Sequence, residues 1–541
     1  MKKMTYQVLA ICIAILFIKN LSAQNITLED VSSRSFSGVH VMEGKGYYTF
    51  YFGEKTETKG MANFVLELFD LNLNHTKTVT IEMTKFSELS GSAFSDNTFL
   101  FSFADQMKKT ATWVTIDENG NTIDKKVEED IKMSLLSPDN YPTIYPIGNG
   151  EFVVIKPIKE KKIGYNLERI DAHFNAKYET SYSPEKGSFK VLDSEVKDNK
   201  IFVLKEFKPS ILTRDFENKI ICYDLATGTE TYSYNLFDGQ DSGFPFILKA
   251  GDNGTVTTSG MFFKGDKFDG KNSDGIFYLT LDAEGKEQAY GKTSWKFVQD
   301  LIKGDFSSAL IGGKTKVLVE DIITHDDGTY SILGETFRKS ENPNMVGNNL
   351  MKASLGMGSN TAGTSGNQDV DGFTIMDFVL FNYNKAGVLT GLDKIEKPTK
   401  DLIIKGEVAN WNALSVALFL KKADIFTYQY QVKTASQQYV VYINYDGVKE
   451  MAYFLPTNAK TVDGIQSIDM NKGISESLNK FAKFDQALNG KAITYDTGTF
   501  GYINDNPNKY RGITPAKEGY MLMYKYFNQK LNIWLEPVPS I

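Results

Sequence analysis

The sequence predicts an all-β propeller of eight blades, each a sheet of four antiparallel strands. Three observations carry the prediction. Short hairpins around Gly, Asn or Asp turns recur along the chain, and each is followed by a second hairpin with its own turn. The first turns of the early units begin at 43, 95, 148, 197 and 251, spaced 52, 53, 49 and 54 residues apart. The opening strands, such as YYTFYF and TFLFSF, are apolar at nearly every position, as in sheets covered on both faces.

Taken in order, the first unit reads GVHVM, YYTFYF, FVLELFD and TKTVTIEM. The second reads LSGSAF, TFLFSF, TWVTID and NTIDKKV; the third TIYPI, EFVVIK, YNLERID and AKYETSY. FKVLDSEV, IFVLK, KIICYD and TETYSYN make the fourth, and FPFILK, TVTTSG, IFYLTLD and KEQAY the fifth. In these five units the third strand ends in Asp before its turn. The sixth reads KVLVEDII, a turn at 325–328, TYSILGET, DFVLFN and VLTG. The seventh is read as ALSVALFL, a turn at 421–424, IFTYQYQV, YVVYIN and VKEMAYF. The eighth is read as KAITY, a turn at 496–498, TFGYI, YMLMYKY and KLNIWLE. Its first hairpin is poorly marked, so seven blades is the alternative.

A single four-stranded sheet cannot bury both faces, whereas blades stacked around an axis can, leaving only short edges. A β-sandwich or β-helix is disfavoured by the four-strand period. Residues 24–541 are therefore read as one domain. The longer late steps place insertions near 295–315, 338–375 and 457–490, where WKFVQDLIKGDFSSALIGG and SESLNKFAKFDQALNG look helical or irregular.

Residues 1–23 combine Lys2-Lys3, an apolar run from Val8 to Ile18 and a small residue at Ala23, the pattern of an export signal. The run is shorter than the roughly 20 apolar residues of a membrane span. The expected location is periplasmic or extracellular. Removing three lysines with the signal takes the formal charge from −7 to −10, which argues against a nucleic-acid partner. Cys222, in KIICYD, is then the only cysteine, and it is expected in the core.

In a propeller, loops between second and third strands share a rim with the connections between blades. These loops are long at 206–218, 264–275, 338–375 and 504–519, so binding residues are sought there. Arg214, Arg338 and Arg511, three of only five arginines, fall in them and suit an anion such as an acidic glycan; solvated loop arginines are the plain alternative. Asp266, Asp269 and Asp274 gather in one loop. Asp369 and Asp371 in NQDVDG resemble the first half of a calcium loop, but Phe378 stands where its bidentate Glu belongs. No cofactor is expected, with calcium kept as the alternative. The four histidines form no catalytic pattern, and no HExxH or GxSxG motif occurs.

HDDGTY at 325–330 resembles the Asp-box of sialidase-type propellers, and DLATGTETY at 224–232 the turn of quinoprotein-type blades. Each occurs once and is read as turn chemistry. The repeat architecture as a whole resembles exported bacterial propeller proteins of uncharacterised function. That resemblance implies a non-enzymatic binding or interaction scaffold using its loop-rich rim, with glycan or protein as partner. A carbohydrate-active hydrolase or lyase on the same fold is the alternative.

Overall fold

A computed structural model describes residues 25–538 apart from 137–139, 160–162, 184–186, 209–215, 266–272, 302–314, 340–369, 406–407, 409–410, 424, 435–436, 446–449, 459–464, 471–491 and 497–510. The strands form eight sheets, arranged as an eight-bladed propeller. Blades one to five, and the four core strands of blade six, follow the predicted hairpins in order. The first strands of successive blades approach each other, as Glu88–Ser95 does Thr143–Pro146 and Ser188–Lys197 does Asp241–Ala250. They are therefore the inner strands that line the axis.

The repeated Asp at the end of the third strand has a structural cause. Asp171 Oδ1 accepts backbone N–H groups of His173 and Asn175, both at 2.9 Å, closing the turn to the fourth strand. Asp70, Asp117, Asp224 and Asp282 do the same in their blades, and Asn384 replaces Asp in blade six. Hydrogen bonds from Asn121 and Thr227 hold the Asp117 and Asp224 carboxyls below their usual range. Between the inner and second strands, Asp96, Asn149, Asp198 and Asn253 take the left-handed conformation that Asn and Asp tolerate. Between blades, apolar faces interlock. Phe50 stacks on Phe101 at 4.7 Å, and Phe64 meets Phe103 edge-on at 5.1 Å. Cys222 is fully buried, as its setting predicts.

Blades seven and eight depart from the predicted strand order. ALSVALFL is a helix, α1 (Ala413–Lys422), rather than a strand. Asn412 caps it by accepting the Ser415 N–H, and Leu414, Val416, Ala417 and Leu420 are buried. Tyr428–Lys433 is consequently the inner strand of blade seven, followed by Gln438–Tyr445, Glu450–Pro456 and Gln466–Asp469. KAITY does not open blade eight. Ala492–Asp496 pairs in parallel with Lys400–Lys405, an extra strand of blade six. Blade eight opens with Arg511–Pro515, so 504–519 is not a loop between second and third strands.

The missing fourth strand of blade eight comes from the other end of the chain. Asn25–Leu28 pairs with Lys530–Pro537, Asn25 opposite Trp534, which closes the ring. Blade six grows in the opposite sense. Its 14-residue third strand, Val370–Tyr383, pairs Leu389–Ile395 along one half and Lys400–Lys405 along the other. Helix α1 packs on this extension, burying its apolar side against Phe337, Phe373, Leu402 and Ile404 of blade six and Phe244 and Phe263 of blade five. Because α1 lies in the connection from blade six to blade seven, it sits on the rim of the inter-blade loops.

Candidate functional site at the propeller axis

Five inner strands carry a β-bulge, with Ser90, Leu192, Phe246, Glu320 and Gln429 as the extra residues. Each lies four or five residues before the last pair of its hairpin, at Ser95, Lys197, Ala250, Thr324 and Lys433. The bulges therefore stand at nearly one level of the axis. A bulge leaves one residue unpaired and re-aims its side chain. Four of these residues are uncharged, and the fifth is Glu320.

Glu320 is held from above. Lys421, in the last turn of α1, meets Glu320 Oε2 at 2.9 Å and donates to the Val319 carbonyl at 2.8 Å. The Glu320 side chain is 3% exposed, and its second oxygen, Oε1, has no hydrogen-bond partner among the described residues. Burial pushes the carboxyl up from 4.5 to about 7, Lys421 opposing and Glu335 and Asp321 reinforcing the rise.

Its neighbours are committed elsewhere. Asp321 receives Tyr428 Oη–H and the Gln431 amide from blade seven and pairs with Lys249 of blade five. Asp193 of blade four accepts the Leu248 N–H of blade five at 3.2 Å; burial raises its carboxyl and nearby Lys421 lowers it. Burial, with the charge of Asp193, also raises Glu195. Behind Glu320, Glu335 is fully buried against Lys397 at 2.8 Å and accepts the Thr427 N–H at 3.0 Å, which pins blade six to blade seven.

The residues singled out from sequence fare differently. Arg511 lies on the inner strand of blade eight and is buried, paired with Glu450 of blade seven at 2.8 Å. Burial would raise the Glu450 carboxyl, but Arg511 and Lys525 outweigh it and hold the group low. Arg511 thus ties two blades together instead of facing a rim loop. Arg338 is exposed near the end of a strand, opposite Thr374. Arg214, Asp266, Asp269 and Asp369 lie outside the described residues. Asp371 belongs to a strand, opposite Ile404, not to a loop, and Asp274 accepts the Lys264 N–H at 3.0 Å. Among the described residues, no three His, Cys, Asp or Glu side chains gather in a way that could hold a metal ion. HDDGTY is a turn, closed by His325 N–H to Thr329 and by Thr329 N–H to Asp327 Oδ1, both 2.9 Å.

Sequence reasoning did not single out Glu320. The available signal was the acidic pair Glu320-Asp321 inside the otherwise apolar strand KVLVEDIIT.

Solved structures resemble this chain only faintly. A polysaccharide lyase, Uly1, is 8% identical with a TM-score of 0.38 over 83% of this chain and 90% of that one. The quinohemoprotein alcohol dehydrogenase of Comamonas testosteroni is 10% identical at 0.39, over 96% and 78%. A Synechocystis apocarotenoid oxygenase mutant is 11% identical at 0.30, over 49% and 62%. Likenesses this distant carry no argument about activity. No curated protein matches the sequence. Residues 1–454 match the family described as "Family of unknown function (DUF6770)", and the chain belongs to that family.

Proposed function

We propose that this protein is an exported, non-enzymatic binding scaffold that engages its ligand at the end of the axis beneath α1. One observation carries the reading: five inner strands bulge at nearly one level, and at one of these bulges Glu320 has an oxygen without a partner among the described residues. Binding sites are commonly concave, with few polar groups placed in apolar surroundings. Blade six places Glu320 among apolar neighbours through its extension and the packed helix. The N-terminal pattern of residues 1–23 supports export.

The test is a screen of the purified protein against glycans and peptidoglycan fragments, followed both for saturable binding and for product. Saturable binding without turnover is expected. Turnover of any substrate would overturn the scaffold reading in favour of a hydrolase or lyase. That second reading has its own support, since a carboxyl near pH 7 is suited to general acid catalysis.

A further inference from the structure

Among the described residues seven large apolar side chains are exposed, and three of them gather at one corner of the rim of the inter-blade loops: Met107 at 73%, Phe86 at 48% and Val127 at 48%. Phe86 lies in the connection from blade one to blade two, and Met107 in the turn between the second and third strands of blade two. Val127 is near the end of the fourth strand, Thr122–Glu128. Asp105, itself buried, ties the first two loops together: it accepts the Thr84 hydroxyl from the end of blade one and the Lys108 N–H at 2.9 Å. Val127 stands opposite Thr112 and Thr112 opposite Phe103, which meets Phe64 of blade one, so Val127 points to the blade-one side as well.

Lysines lead the charge beside these side chains. Lys85 Nζ stands 4.8 Å from the centre of the Phe86 ring, Lys108 and Lys109 follow Met107, and Lys125 shares the face of Val127. Glu129 and Asp130 run beside Lys109, whose carbonyl accepts the Ile131 N–H at 2.9 Å. Glu57 and Lys59 in the neighbouring loop offset each other, as do Glu88 and Arg34. Glu82 and Glu128 fall on the opposite faces of their strands, Glu128 meeting Lys126 and Lys156. Four lysines against two acids leave the corner positive, on a chain whose formal net charge is −7. Apolar tips on separate loops, flanked by ammonium groups, suit a surface that is flat, apolar within and anionic outside. A stable protein interface instead takes about 800 Å² from each partner around a packed aromatic centre, and three separate tips form no such centre.

We propose that this corner seats the protein on a lipid bilayer carrying anionic headgroups, with Phe86, Met107 and Val127 entering the interface and Lys85, Lys108, Lys109 and Lys125 meeting the phosphates. The inference goes beyond the axial binding reading and uses none of its residues. Blade two stands across the ring from blade six, so a bilayer held at this corner does not touch Glu320.

The experiment is co-sedimentation with vesicles of phosphatidylcholine alone or mixed with phosphatidylglycerol. It uses the chain from Gln24, which carries all eight blades and leaves out the apolar run of residues 1–23. Partitioning onto the mixed vesicles is about ten-fold stronger than onto phosphatidylcholine and weakens with salt. Joint Phe86→Ser and Met107→Ser substitution lowers it about ten-fold, and joint Lys108→Glu and Lys109→Glu substitution does the same. Thermal melts verify that both double variants fold. A fluorophore on Met107→Cys shifts to shorter wavelength on the mixed vesicles, while one on Val388→Cys, in a hairpin turn of the opposite rim and 55% exposed, does not. No partitioning, equal partitioning onto both kinds of vesicle, no loss in either double variant, or an equal shift at Val388 would overturn the bilayer seat. Capture of an acidic polysaccharide or a protein at this corner without vesicle binding would overturn it too. Each of these results leaves the axial reading to its own screen, so the two proposals fail separately.

Discussion

Blades one to five and blades six to eight are built from the same four-stranded unit and both pack through apolar faces, but the second group adds buried charges at its seams. In the first group, neighbouring sheets meet through aromatic faces such as Phe50, Phe64, Phe101 and Phe103, and turns are closed by an Asp in a repeated place. In the second group, buried charges stand at the seams: Glu335, paired with Lys397 inside blade six, accepts the Thr427 N–H beside blade seven, and Glu450 pairs with Arg511 between seven and eight. Apolar stacking is indifferent to which blade comes next, so it suits repetition. A buried ion pair tolerates one partner only, and it appears where the chain leaves the repeat to build the extension, the helix and the axial site.

This contrast is open to attack. The largest effect is expected at Lys397, whose replacement by Met leaves Glu335 charged and unmatched in the core. Chemical denaturation of Lys397→Met should show a loss of about 3–5 kcal/mol. A loss below about 1 kcal/mol would mean that Lys397 does not hold Glu335 in place at the seam with blade seven.

Next comes the pH dependence of Glu320. The folded protein holds its proton more tightly than the unfolded chain, because the carboxyl is raised from 4.5 to about 7. The stability this contributes is complete below about pH 4.5 and is lost as the pH rises through 7. Between pH 4.5 and 8 the wild type should therefore lose about 2–3 kcal/mol relative to Glu320→Gln, which has no proton to release. Parallel stability curves for the two proteins would contradict this.

In the regular half the expected effects are smaller. Phe101→Leu keeps most of the apolar volume between blades one and two and should cost about 1 kcal/mol in the same denaturation assay. Asp171→Ala removes two backbone hydrogen bonds and the Asn175 amide contact from a single exposed turn and should cost about 0.5–1.5 kcal/mol. A cost above about 3 kcal/mol at Asp171 would mean that the turns, and not the stacked faces, carry this half.

The same contrast explains what could be read from sequence. Strands whose turns carry their own chemistry, such as Asp171 through Asn175, announce themselves locally. Helix α1 did not, because ALSVALFL has the apolar density of a buried strand; its helical state depends on the Asn412 cap and on the extension of blade six that it covers. Taking it for a strand displaced the three strands that follow it in blade seven by one place. The closing strand Asn25–Leu28 is short and partly exposed, and its partner lies about 500 residues away, so no local pattern marks it. The axial site was hidden for a related reason. An acidic pair inside KVLVEDIIT is visible, but the bulge that leaves Glu320 unpaired depends on pairing with the next strand. The arginines drew notice because they are rare, and Arg511 turned out to serve the seam between two blades.

The central claim is that the bulge in blade six buries a carboxyl with an unmatched oxygen at the axis. Its most direct test is the titration of Glu320 itself, followed by carboxylate infrared difference spectra of wild type against Glu320→Gln. A midpoint near 7 is predicted. A midpoint near 4.5, the value of a carboxyl in water, would show that the group is solvated and the site does not exist as described.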